Sequence, residues 1–244
     1  MKQHARIALV LTSCSVLTVP VLAQGTFQDL DFEDASLSPV PFGGGLVPIT
    51  EALPGWTGYL GGAPVTQVLQ NNLTLGQASI DIIGPGWTTG TILQGNKYTL
   101  VLQPGFRAGL PVGPPQISAS VSQYGLVPAT ANSIQLEEWG YVGFAVSLGG
   151  QNLALVPIGV GPDYTLYGAN ISQLAGQGAT LTITALPTGV AATPDYFDAI
   201  AFSPQVIPEP NSVALLALCV LILTAGLHLL NPAFKIAPSG QPER

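Results

Sequence analysis

Residues 179–185 read ATLTITA. Leu181, Ile183 and Ala185 alternate with Thr180, Thr182 and Thr184. In an extended chain successive side chains point to opposite faces, so the stretch sets an apolar row against three hydroxyls. That is the pattern of an antiparallel strand with one face on a core and the other in water. Residues 117–122 (ISASVS) alternate in the same way, and 141–148 aim Val142, Phe144, Val146 and Leu148 together. Residues 97–102 (KYTLVL) and 152–158 are further strands. Gly and Pro clusters separate these runs: Gly84-Pro85-Gly86, Pro104-Gly105, Gly113-Pro114-Pro115, Gly149-Gly150 and Gly161-Pro162. No convincing helix and no internal repeat is present between 24 and 203. Short strands at this turn spacing predict one antiparallel β-sandwich over 24–205, large enough to bury a core without disulfides.

Composition narrows the chemistry. Of 244 residues, 29 are Gly, 22 are Pro and 8% are charged. Between 24 and 207 there are eleven acids against Lys97 and Arg107, a balance near −9. Nucleic acid is therefore not an expected partner, since phosphate affinity comes from Lys and Arg. Both cysteines, Cys14 and Cys219, and both histidines, His4 and His228, lie near the termini. The central region thus lacks the residues for a disulfide scaffold, a Cys-His or Ser-His-Asp nucleophile, or ordinary zinc and copper sites.

The two ends carry addressing signals. Lys2 and Arg6 precede an apolar run over 7–19, and Val21-Leu22-Ala23 precede a cut before Gln24, which predicts a signal peptide over 1–23. Near the other end, 213–230 is an apolar run with no Asp, Glu, Lys or Arg. At about 1.5 Å per residue it spans roughly 27 Å, close to the hydrocarbon thickness. Asn211 or Ser212 can cap its start and Pro232 follows its end. Lys235 and Arg244 in the tail 231–244 place that tail in the cytoplasm. Directly before the run stands Pro208-Glu209-Pro210, whose prolines keep the motif extended and accessible at the membrane surface.

The arrangement over 206–235 resembles the C-terminal sorting signal of PEP-CTERM proteins, which exosortases recognise in Gram-negative bacteria that make exopolysaccharide. The resemblance implies an exosortase as partner and the inner membrane as a transient anchor. It also implies a periplasmic ectodomain delivered later to the cell surface or extracellular matrix. A looser resemblance covers the sandwich. Residues 27–34 (FQDLDFED) read as an opening strand, Pro54-Gly55-Trp56 enters the next, and 196–202 (YFDAIAF) closes the domain. Residues 164–185 read as strand, short turn, strand. Together they resemble galactose-binding-like jelly rolls, common among carbohydrate-binding modules. That architecture brings the first and last strands together.

Several residues qualify as sites. Asp29, Asp31 and Glu33 share a face of the expected opening strand, and Asp198 lies in the closing one. Their carboxylates suit a structural calcium ion, the one cofactor considered; the alternative is a solvated acidic edge that discourages aggregation. Glu137-Glu138-Trp139 invites a glycosidase reading, but adjacent strand residues face opposite ways, and a charged turn is the simpler expectation. Trp56, Tyr59, Trp87, Tyr124, Trp139, Tyr164 and Tyr167 can stack on sugars where exposed, which one or two are expected to be. Asn72-Leu73-Thr74 and Asn170-Ile171-Ser172 match a glycosylation triplet. No catalytic residues converge. The expectation is a secreted, non-enzymatic surface or matrix protein associated with exopolysaccharide. A carbohydrate-binding module is the alternative, and a glycoside-active enzyme a third reading.

Overall fold

The computed structural model describes residues 25–87, 93, 96–107, 115–140, 143–187, 189 and 193–207. The signal peptide, Pro208-Glu209-Pro210 and the apolar run 213–230 lie outside these residues. Among the described residues no helix is long and apolar enough to cross a membrane.

The quoted alternation forms strand β13, Gly178–Ala185, with Ala179, Leu181, Ile183 and Ala185 buried. It pairs antiparallel with β7, Ala119–Leu126, and with β9, Phe144–Leu148. Strands β2 (Thr57–Leu60), β3 (Ala63–Val65) and β10 (Gln151–Asn152) complete a six-stranded sheet in the order β10-β9-β13-β7-β2-β3. The facing sheet contains β1 (Leu46–Pro48), β4 (Gln67–Gln70), β5 (Ser79–Ile83) and β6 (Thr99–Gln103). It also contains β8 (Ser133–Gly140), β11 (Val156–Val160), β12 (Thr165–Asn170) and β14 (Asp195–Ser203). Its eight strands run in the order β1-β4-β5-β6-β14-β8-β12-β11. Among the described strands every pairing is antiparallel except β4 with β5. The fold is a jelly-roll-type antiparallel β-sandwich.

Period-2 alternation explains the core. Val121, Val146, Leu181 and Ile183 from one sheet meet Ile82, Leu100, Leu136 and Phe197 from the other. Each such side chain contributes about 1.5–3 kcal/mol when fully buried. Strands β5 and β6 are buried at every position. Their second face lies under a smaller cluster of Ile83, Trp87, Leu93, Val101 and Tyr196.

Four expectations are corrected. Residues 27–34 form turns rather than an opening strand, with Asp29 at φ 47° and Phe32 at φ 56°. A strand would aim Phe27 away from Leu30 and Phe32; the two left-handed residues let all three turn inward, to 3%, 0% and 0% exposure. The segment still meets the closing strand, since Ile200 N–H donates to Leu30 O at 2.9 Å and Phe27 packs on Phe202 at 5.1 Å. Glu137-Glu138-Trp139 lies inside β8 rather than in a turn. Residues 152–158 divide between β10 and β11, which belong to different sheets. Finally, Ile49–Ala52 forms a short helix, α1, whose Ile49 and Ala52 are buried.

Candidate functional site

The outer face of the six-stranded sheet is a surface of hydroxyls. Register places Thr184, Ser120 and Tyr59 in one row, and Ser147, Thr182, Ser122 and Thr57 in the next. Thr180 and Tyr124 form the third. None of these residues is charged. Tyr124 is 72% exposed. Its hydroxyl lies over the backbone of Gly178, where a Cβ would fall 2.2 Å from the phenolic oxygen. The missing side chain lets the ring lie across β13 with a face open to solvent. Tyr59 sits four positions along the strands and one strand over, roughly 14 Å away at about 3.4 Å per residue.

The other predicted aromatics are enclosed to different degrees. Trp56 is buried against Phe32 and donates Nε1–H to Asp29 O at 3.0 Å. Trp87 packs on Phe42, Trp139 on Tyr196 and Tyr167 on Phe144. Tyr164 is partly buried beside the smaller cluster. Sequence alone could not separate Tyr124 from these, because its placement depends on Gly178, diagonal to it on the neighbouring strand.

The outer face of the eight-stranded sheet is covered over β5, β6 and β14, and buried acids lie there. The link between β5 and β6 covers it through Trp87 and Leu93. Leu93 N–H donates to Thr99 Oγ1 at 3.0 Å, and that hydroxyl donates to Asp198 Oδ2 at 3.1 Å. Asp198 Oδ1 accepts the Ala199 N–H at 2.7 Å. Glu137 stands opposite Asp198 in register. Burial pushes both carboxyls up to about 7, and Asp163 adds to the shift on Glu137. Burial also holds Asp81 well above the carboxylate range, and burial with the nearby Asp81 pushes Tyr196 up to about 12.

Glu138 faces the other way, into the sandwich, and burial pushes it up to about 7. Glu137 and Glu138 therefore cannot flank one bond. Glu138 instead meets Asp195: their oxygens lie 2.7 and 2.0 Å from the point where a Gly140 Cβ would sit. Both residues are buried, at 6% and 0% exposure.

The expected calcium ligands have separate tasks. Asp29 is buried, accepts the Asp34 N–H at 2.9 Å, and is pushed up by burial to about 7. Glu33 Oε1 accepts the N–H groups of Lys97 and Tyr98, each at 2.9 Å. Asp31 is exposed, and Asp198 is held on the outer face of β14 as described. Among the described residues no three His, Cys, Asp or Glu are placed to hold a metal ion.

One end of the sandwich carries a polar cleft of about 270 Å³. It lies where the β9–β10 hairpin approaches the turn between β12 and β13. Gln151, Asn152, Asn170, Ser172 and Gln173 line it, over Leu153 and Leu174. Asn170 was singled out in the sequence only as part of a glycosylation triplet.

No family model matches the chain, and no curated protein matches it in sequence. Among solved structures, the carbohydrate-binding module TmCBM61, in complex with β-1,4-galactotriose, is similar at TM-score 0.40 and 11% identity, covering 73% of this chain and 97% of that one. A family 11 carbohydrate-binding module from Clostridium thermocellum, in complex with a β-1,3-1,4-mixed-linked tetrasaccharide, gives 0.35 and 10%, covering 67% and 96%. The enzymatically active domain of bacteriophage CBA120 tailspike protein 4 gives 0.37 and 9%, covering 73% and 21%.

Proposed function

We propose that this chain is an exported, non-enzymatic surface protein that binds a neutral polysaccharide on the outer face of its six-stranded sheet. The exposed Tyr124 ring, laid over Gly178 among rows of Ser and Thr, carries the reading. An aromatic face accepts the C–H side of a sugar ring, while neighbouring hydroxyls donate and accept as the sugar's own do. The domain's net negative charge disfavours acidic polymers. The sorting segment completes the proposal: the motif Pro208-Glu209-Pro210 and the run 213–230 hold the protein in the inner membrane until an exosortase releases it to the surface or matrix. The protein then acts as a matrix component associated with exopolysaccharide.

Retention of the full chain on neutral polysaccharides, measured by affinity electrophoresis, tests the binding. Tyr124→Ala is expected to weaken retention about 3- to 10-fold, since an aromatic stack contributes about 0.5–1.5 kcal/mol. Its melting temperature should stay within about 2 °C, because an exposed side chain is removed. Retention equal in both proteins would refute the assigned face. Sorting is tested separately by mass spectrometry of protein released from the cell surface. A C-terminus intact to Arg244 would exclude processing.

A further inference from the structure

We propose that the amide-lined cleft between the β9–β10 hairpin and the β12–β13 turn is a second saccharide site, one that takes a single neutral sugar residue by its hydroxyl groups. The ligand class rests on the carbohydrate reading above; the location does not. Three features carry it. First, the cleft displays amides that the fold leaves available: Gln151, Asn152 and Gln173 are exposed, and their side chains make no hydrogen bond among the described residues. A primary amide donates and accepts at once, so a few such groups can read a pair of sugar hydroxyls where a carboxylate or ammonium could only do half.

Second, the cleft is held in shape rather than collapsed. Gly149 and Gly150, at φ 61° and 79°, turn the hairpin, and Leu153 N–H donates to Val146 O at 2.8 Å. Across from it Asn170 Oδ1 accepts the Ser172 N–H at 3.0 Å, which leaves the Asn170 amide N–H groups free to donate. Gln177 Nε2 donates to Gln173 O at 2.7 Å and fixes the turn. Third, size and polarity suit a small ligand. About 270 Å³ is near the lower limit of ligand pockets. Leu153 and Leu174 offer an apolar floor, and no lining residue is charged, so nothing there would recognise a phosphate, a carboxylate or a cation.

The test uses the full chain in a detergent without a sugar headgroup. Glucose, galactose, mannose and their β-linked disaccharides are titrated, with binding read by saturation-transfer NMR. Weak binding of at least one of these is expected. The double variant Gln151→Leu/Gln173→Leu should weaken it about ten-fold through the lost hydrogen bonds. Tyr124→Ala should leave it within about two-fold, since the ring lies outside the cleft. Both altered glutamines are exposed, so unchanged melting is the control for folding. Failure of all these sugars to bind would overturn the proposal. So would binding that follows Tyr124 and ignores the double variant, a result that would leave the sheet face as the sole saccharide site. Sugar binding that follows the glutamines, beside polysaccharide retention indifferent to Tyr124, would support the cleft while removing the sheet face.

Discussion

The protein is expected to melt about 10 °C higher at pH 5 than at pH 8, the reverse of a fold held by ionised carboxylates. Asp29, Glu137, Glu138 and Asp198 are all buried, and burial pushes each of them up to about 7. Unfolded, they would titrate near 4. Between about pH 4 and pH 7 the folded chain therefore keeps protons that the unfolded chain has released, and stability falls as pH rises. The contribution is full below about pH 4 and lost above about pH 7. Moving a carboxyl from near 4 to about 7 corresponds to about 4 kcal/mol; relaxation and water entry reduce this, so about 2 kcal/mol each for Asp29 and Asp198 is a working figure. At about 2–4 °C per kcal/mol for a domain of this size, these two account for the expected difference. Melting followed by circular dichroism at matched ionic strength checks it. Asp198→Asn should raise stability at pH 8 and flatten the profile, because an amide can donate to Thr99 Oγ1 without becoming charged. A melting temperature that is flat or rises from pH 5 to pH 8 would contradict the protonated-core account.

The same carboxyls show where the sequence could be read and where it could not. In β13 one face meets the core and the other meets water, so Leu181 and Thr182 announce their environments. Strand β14 closes the domain as its pattern predicts, although Ala199 at φ 48° interrupts the register and turns Ile200 back into the core. Glu137 and Glu138 mislead because acids are normally solvated. Their burial is decided elsewhere, by the facing sheet for Glu138 and by Tyr164 and Asp163, from a distant turn, beside Glu137. A single sequence gives no sign of a cover contributed by distant residues. The turn over 27–34 fails for another reason, since positive φ at Asp29 and Phe32 is imposed by packing and not by a glycine. The candidate face was half readable. The threonine alternation was plain, whereas the amide cleft assembles from segments about twenty residues apart.

Asn71→Ala is expected to be among the most damaging single changes in the described fold, lowering stability by about 3–5 kcal/mol. Asn71 is fully buried at the end of β4 and adopts φ 50°, a conformation in which Asn is tolerated better than Ala. Its side chain joins three segments. Nδ2 donates to Val40 O at 2.6 Å and Pro85 O at 3.0 Å, and Oδ1 accepts the Gly84 N–H at 2.7 Å. Its backbone adds a bond from its own N–H to Ile82 O at 3.1 Å and another from the Gly43 N–H to its carbonyl at 2.9 Å. Alanine keeps neither the side-chain bonds nor an easy backbone, and it strands a buried N–H and two carbonyls that water cannot readily reach. Asn71→Gly separates the two causes. It relieves the backbone but still loses the three side-chain bonds, so it should recover only about 1 kcal/mol. Urea unfolding of the three proteins checks the order. The loss should reach the start of the segment that covers Asp198, because Gly84 and Pro85 lead into it. Faster hydrogen exchange at Trp87 and Leu93 is therefore expected in both variants. If Asn71→Gly restored full stability, backbone conformation alone would explain the site, and the tether to the covering segment would have no energetic role.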